Sequence, residues 1–229
     1  MELTPIAHIE TDFLTKFGIP RQSGLVKGLR GRVIFEKEYR DPEALRGLEG
    51  FSHIWLLWDF SEARREGGKW QPTVRPPRLG GNRRMGVWAT RSPFRPNNIG
   101  LSSVRITAIR LHTPDGPVIE VEGADMMNGT PIFDIKPYLP FTDCRPDATG
   151  GFAEEKNRVT EPLRVNLSDE LQAAFDEGRL EALRGILSAD PRPHYHSDAS
   201  RVYALEFAGK EVKFRVAGNE VQAWISGAC

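Results

Sequence analysis

The chain has 229 residues, 39% hydrophobic and 27% charged, which marks a folded globular protein long enough for one large or two small domains. Its 31 basic and 31 acidic residues cancel, so it is not a uniformly basic protein, and any attraction to a polyanion has to come from a patch. Cys144 and Cys229 give neither a disulfide framework nor a zinc spacing, and the opening MELTPIAHIETDF has acids and no apolar run, the pattern expected of a reduced, cytoplasmic chain with no secretory signal.

In chain order, Pro5 to Ile9 reads as a strand, followed by a Gly/Pro-bracketed loop through GIPRQSG, Gly18 to Gly24. Gly31 to Phe35 is a second strand. Asp41-Pro42-Glu43 starts a short helix, with an N-cap, a proline at the first position and an acid in the first turn; it ends near Gly47 to Gly50. Phe51 to Phe60 is apolar on both faces and reads as a buried strand, far too short to cross a membrane. Met85 to Thr90, Leu101 to Leu111, Val118 to Val121 and Pro131 to Tyr138 are further strands, the middle two forming a hairpin around Thr113-Pro114-Asp115-Gly116. Many strands and few helices predict a mainly β fold with a closed or strongly curved sheet. Composition shifts after Asp143, and Arg145 to Gly151 reads as a linker, so residues 1–150 form one domain and 151–229 a small α+β domain. The latter has helices over Ser168 to Glu177 and Leu180 to Leu187, then strands Val202 to Phe207, Val212 to Val216 and Val221 to Ile225.

The most informative stretch runs from Trp70 to Gly100. It carries Arg75, Arg78, Arg83, Arg84, Arg91 and Arg95, and no acid occurs between Lys69 and Pro114. Interleaved prolines and glycines fix the backbone, as in a loop that presents side chains in one geometry. Arginine suits bidentate contact with phosphates and base edges. From residue types alone, GVWATRSPFRPNNIGLS is as consistent with a braced structural turn as with a ligand site. In DIKPY, strand alternation puts Asp134, Lys136 and Tyr138 on one face and Phe133, Ile135 and Leu139 on the other; this is either a substrate-positioning triad or a surface ion pair beside a phenol. EGADMMNGTP is a tight turn, or a turn whose backbone and Asp125 line a small-ligand pocket. His53 reads as a structural residue. No GxGxxG opens a helix after a strand, no phosphate-binding lysine loop occurs, and no His/Cys spacing suits a metal.

Five segments then occur in order: PRQSGLVK (Pro20 to Lys27), LEGFSHIWLL (Leu48 to Leu57), PTVRPPRLGGNRRMGVWATRSPFRPN (Pro72 to Asn97), NGTPIFDIKPYLP (Asn128 to Pro140) and ADPRPHY (Ala189 to Tyr195). Together they resemble the TrmO family, also called YaeB or TsaA-like, over nearly the whole chain. The resemblance implies a homodimeric β-barrel methyltransferase that is not of the Rossmann type. Its donor is S-adenosylmethionine, and its target is N6 of the threonylcarbamoylated adenosine just 3′ of the tRNA anticodon. Carried over by position, it places Pro20, Arg21, Gln22, Phe60, Ser61, Arg91, Leu101, Glu122, Gly123, Ala124 and Asp125 at the donor. It makes Asp125, Asp134, Lys136 and Tyr138 the catalytic candidates. Arg75, Arg78, Arg83, Arg84, Arg95 and Arg192 become an RNA-facing set, with the C-terminal domain assisting tRNA binding. Three positions depart from the usual pattern: Asn98 for proline, Asn128 for aspartate, and Ser61 for the histidine of some relatives. Two rivals remain at this point, a non-catalytic RNA-binding barrel and a methyltransferase acting on a small molecule.

Overall fold

The computed structural model describes residues 2–61, 70–76, 83–157, 162–192 and 198–225. Strands β1 (Ala7–Thr11), β2 (Arg30–Phe35) and β3 (His53–Asp59) are followed by a two-stranded ribbon, β4 (Thr73–Val74) with β5 (Met85–Gly86). Then come β6 (Ile99–Arg110), β7 (Val118–Glu122) and β8 (Thr130–Pro137). Apart from the ribbon, these strands close into a barrel in the order β1-β2-β7-β6-β3-β8. All six pairings are antiparallel, and closure leaves no unpaired edge.

Alternation fills the barrel. Ile54, Leu56 and Trp58 of β3 point inward and are buried, while His53, Trp55 and Leu57 stand half-buried on the outside, so β3 has one buried face rather than two. Opposite it, Leu56 pairs with Ile135 and Trp58 with Ile132 across a register shift. That bulge makes Phe133 an extra residue, lets both isoleucines reach the core, and puts Asp134 beside Leu57 on the outside. On β6, Gly100, Ser102 and Val104 face in and Leu101 faces out.

Three expected elements of the barrel part differ. The helix after Asp41 is a pair of 3-10 turns, Pro42–Leu45 and Leu48–Gly50. Asp41 caps as expected, accepting from the Glu43 N–H at 3.0 Å, but Gly47 at φ 87° breaks the run. The strand expected over Met85 to Thr90 stops after Gly86, because Val87–Ala89 curls into a turn closed by the Thr90 hydroxyl on the Val87 carbonyl at 2.9 Å. The first strand lies two residues later than expected.

After β8, a short turn of helix α1 (Pro140–Asp143) leads through exposed residues to α2 (Phe152–Asn157). The C-terminal part holds β9 (Arg164–Leu167), α3 (Asp169–Ala173), α4 (Glu177–Ser188), β10 (Tyr203–Phe207), β11 (Lys210–Ala217) and β12 (Glu220–Ile225). The expected helix over Ser168 to Glu177 is divided because Asp176 leaves α3 to cap α4, accepting from the Arg179 N–H at 3.2 Å. Strand β9, not expected from the sequence, runs parallel to β12 and completes the sheet β10-β11-β12-β9.

The two cores do not divide at the linker. Phe13, Val26 and Leu29, all from the connection between β1 and β2, are buried in the same cluster as Leu183, Ile186, Phe207 and Phe214 of the C-terminal part. The C-terminal core therefore includes a piece of the N-terminal chain.

Gly100 is required by its surroundings, since a Cβ there would overlap the indole of Trp58. Gly100→Ala should destabilise the protein by about 1–3 kcal/mol through overpacking, seen as a lower denaturation midpoint. An unchanged midpoint would mean that the indole is free to move.

Candidate functional site

Three loops meet at one end of the barrel. The β1–β2 connection brings Gln22, Ser23 and Gly24; the proline-braced turn before β6 brings Arg91; the segment after β7 brings Gly123 to Asp125. Main-chain bonds stitch them together. Gly24 N–H donates to the Gly123 carbonyl at 2.9 Å, and Gly123 N–H donates to the Leu29 carbonyl at 2.8 Å. Gly123 has φ 86°, which only glycine adopts without strain, and its bend turns Asp125 back toward the barrel mouth.

Asp125 is the centre of this arrangement. The Ser102 hydroxyl donates to its Oδ1 at 2.6 Å, and the Trp58 indole N–H donates to Ser102 Oγ at 3.0 Å. Burial pushes the Asp125 carboxyl above the usual carboxylate range, opposed by the Ser102 bond, by its own backbone, by the Arg91 charge and by a Ser23 backbone bond. Arg91 Nη1 also donates to the Gln22 side-chain oxygen, which ties two of the loops through charged and polar groups. A partly desolvated carboxylate beside adjustable hydrogen-bonding groups can hold a cationic ligand or accept a proton.

Around this centre, Pro20 and Gln22 are half-buried, Arg21 is exposed and Ala124 is buried. Glu122 faces the other way, accepting from the Gly28 N–H at 2.8 Å. Phe60 packs on Trp58 with ring centroids 4.0 Å apart, its N–H donates to the Asn98 carbonyl at 2.9 Å, and Ser61 follows it at the surface. Two loop asparagines are locally satisfied. The Asn98 amide donates to the Pro93 carbonyl at 2.6 Å, and Asn128 Oδ1 accepts from the Thr11 N–H at 3.1 Å.

The other catalytic candidates stand elsewhere, on the outer face of β6, β3 and β8. Leu57 there is flanked by Leu101 and Asp134, and Trp55 by Ser103 and Lys136. Asp134 and Lys136 form an ion pair at 3.0 Å, and Tyr138 lies against His53 and Trp55 with centroids 6.2 and 5.5 Å away. Asp143 accepts from the Leu139 N–H at 2.9 Å and the Trp55 indole at 2.8 Å, which hold its carboxyl below the usual range and fasten α1 to the barrel wall. Asp134, Lys136 and Tyr138 thus share a face as alternation predicts. The barrel wall separates them, together with Leu101, from the Ser102 and Trp58 side chains that hold Asp125.

The arginines divide in the same way. Arg75, Arg83 and Arg84 are exposed. Arg95 is spent inside its loop, donating to the Thr90 and Val87 carbonyls at 2.7 and 3.3 Å and lying 5.2 Å from the Trp88 ring. Arg192 is folded onto Asp190 by two bonds of 2.8 Å and is only 14% exposed, so it is not presented to solvent as the RNA-facing expectation requires. Arg78 lies outside the described residues. The sequence reading missed Ser102, whose one signal is a small polar residue at an inward position of β6. It also missed the exposed pair Trp70 and Trp88, stacked at 5.8 Å amid the arginines. Among the described residues no group of His, Cys, Asp and Glu is placed to hold a metal ion.

Because the native carboxyl of Asp125 titrates above its unfolded value, folding favours its protonated form. That contribution is present at acid pH and is lost as pH rises through the native pKa. Asp125→Asn should therefore be more stable than the parent at neutral pH, with the gap closing as pH falls toward about 4. Thermal melts across that range check it, and a gap that does not depend on pH would mean that Asp125 is not desolvated.

Comparison with known proteins bears on the whole chain. The tRNA-methyltransferase O N-terminal domain matches residues 8–144, and the TrmO C-terminal domain matches residues 160–224. A tRNA (adenine(37)-N6)-methyltransferase of Escherichia coli K12 is 42% identical over 226 residues, covering 95% of each chain. A protein of that name from Eikenella corrodens is 47% identical over 72% of this chain and 91% of its own length. A solved TrmO structure superposes with a TM-score of 0.78 at 29% identity, covering 98% of both chains, and TrmO from Pseudomonas aeruginosa gives 0.77 at 28%, covering 99% of both. With both domains matched in order and the barrel shared, the chain belongs to the tRNA-methyltransferase O family.

Proposed function

We propose that this protein transfers the methyl group of S-adenosylmethionine to N6 of the threonylcarbamoylated adenosine that follows the tRNA anticodon. The observation that carries the reading is the meeting of Gln22, Arg91 and Asp125 at a barrel mouth, with Arg91 inside an acid-free, arginine-rich stretch of sequence, in a chain 42% identical to the Escherichia coli tRNA (adenine(37)-N6)-methyltransferase.

The chemistry asks little covalent help from the protein. N6 attacks the methyl carbon, the carbon–sulfur bond breaks, and the N6 proton leaves. The protein has to align nitrogen, carbon and sulfur and exclude water. Asp125 suits two tasks at the barrel mouth: it complements the sulfonium charge, and its raised pKa makes it a better proton acceptor than an exposed carboxylate. Ser102, anchored by Trp58, keeps the carboxyl in one orientation. Arg91 and Gln22 form the polar clasp over the rest of the donor.

RNA approaches along Arg75, Arg83 and Arg84, whose charges meet no acid in the neighbouring sequence. The stacked indoles of Trp70 and Trp88 offer a base-stacking surface among them. A small-molecule methyltransferase has no use for such a surface, which favours RNA as the substrate. No helix among the described residues is long and apolar enough to cross a membrane. Work on tRNA assigns the protein to the cytoplasm.

A homodimer completes the reading. The outer face of β6, β3 and β8 exposes Leu101 at 56% and Ile99 at 38% beside the Asp134, Lys136 and Tyr138 row. A second copy docked there covers the apolar side chains and brings that row into the interface.

Nucleoside mass spectrometry of tRNA incubated with protein and donor should show a gain of one methyl on the threonylcarbamoylated adenosine, and no gain would sink the assignment. In the same assay Arg91→Ala should lose about tenfold in donor affinity, the scale of one charge-assisted hydrogen bond, while staying folded. Leu101→Glu should sediment as a monomer and lose activity. A dimeric Leu101→Glu protein would move the interface elsewhere.

A further inference from the structure

The loop expected to bind the donor is the tip of an 18-residue connection, Asp12 to Leu29, that contains no helix or strand. A free loop of that length would pay a large ordering cost whenever it closed on a ligand. This one is pre-ordered, and the C-terminal domain does the ordering. On the outgoing limb, Phe13 packs edge-on against Phe207 at 5.7 Å, Phe17 stacks on Phe214 at 6.3 Å, and the Asp12 carbonyl accepts from the Ala208 N–H at 2.8 Å. On the returning limb, Val26 is 4% exposed and lies where a Cβ on Gly185 of α4 would stand 2.6 Å from its Cγ1. Gly28, at φ 77°, passes so close to α4 that a Cβ would lie 2.9 Å from the Gly178 carbonyl. Arg179 closes the arrangement, donating from Nε and Nη2 to the two oxygens of Asp12 at 3.3 and 3.1 Å; the Asp12 side chain is only 16% exposed.

We propose that the C-terminal domain positions the methyl-donor loop, with Arg179 the positioning residue that acts through Asp12. The proposal rests on reading Pro20 to Gln22 as part of the donor site. Asp12 and Arg179 sit at the base of the loop, and Gln22 and Ser23 at its tip reach Arg91 and Asp125. Loosening the base lets the tip leave the barrel mouth, so the cost falls on donor affinity. The domain thus serves the barrel's small-molecule substrate as well as any RNA it touches.

The test uses the full chain and S-adenosylmethionine itself. Arg179→Ala should weaken calorimetric donor binding and raise the donor KM by about tenfold, the scale of a lost charge-assisted bond, with kcat and the tRNA KM little changed. Arg179→Lys should recover part of the loss, because an ammonium reaches one carboxylate oxygen but not both. The swapped pair, Asp12→Arg with Arg179→Asp, should bind donor better than either single change. Gly185→Ala, which suits a helix but presses on Val26, supplies an independent variant and should also raise the donor KM. A folded Arg179→Ala protein with a lower melting point and parental donor affinity would reduce the pair to a structural staple and overturn the proposal. A rise confined to the tRNA KM would overturn it in favour of RNA docking. Failure of the unmodified protein to bind S-adenosylmethionine would instead defeat the functional assignment beneath it.

Discussion

The Asp125–Ser102–Trp58 chain ties the barrel interior to the candidate site at its mouth. A carboxylate drawn out of water costs stability unless it is held, and here it is held by a hydroxyl whose own orientation depends on an indole inside the barrel. That indole fits only because β6 carries glycine where it crosses. The sequence of small and large residues along β3 and β6, which looks like ordinary core patterning, therefore fixes the direction in which Asp125 points. The remaining energetic tension is left in the raised pKa of the carboxyl. A positively charged group placed against the carboxyl would relieve it.

Strand β6 was legible because half-buried antiparallel strands must alternate, as Val104 and Ile106 do; β3 was legible only as an apolar run, which hid that Ile54, Leu56 and Trp58 alone face inward. The Asp134, Lys136 and Tyr138 row was legible for the same reason. What alternation could not convey is the bulge opposite Leu57, which decides that Ile132 and Ile135 both enter the core. The four residues of β9 were missed because a short parallel strand takes its meaning from β12, more than fifty positions away. The break between α3 and α4 was missed because Asp176 suits a helix interior poorly but a cap well, and only packing decides between the two.

At the candidate site, residue types left each loop open between a structural brace and a ligand contact, and the resemblance named the loops without their division of labour. Arginines at 75, 83, 84, 91, 95 and 192 look alike in sequence. Two of them prove to be internal braces, because Arg95 faces a turn with spare carbonyls and Arg192 has an aspartate two residues before it. Asn98 and Asn128, which the resemblance marks as departures from the family pattern, each find a main-chain partner that keeps the loop shut. A substitution at a loop position is tolerated when its polar atoms close the same turn by another route.

The sharing of Phe13, Val26 and Leu29 with the distal core has a consequence for synthesis on the ribosome. These apolar side chains emerge with the β1–β2 connection, yet α4 and the strands that cover them are made only after the whole barrel. Once β8 has been made the barrel can close, while the β1–β2 loop stays uncovered until α4 and β10 to β12 follow. Vectorial folding thus leaves the nascent chain with a temporary sticky face, and the mature loop geometry is among the last features to be acquired.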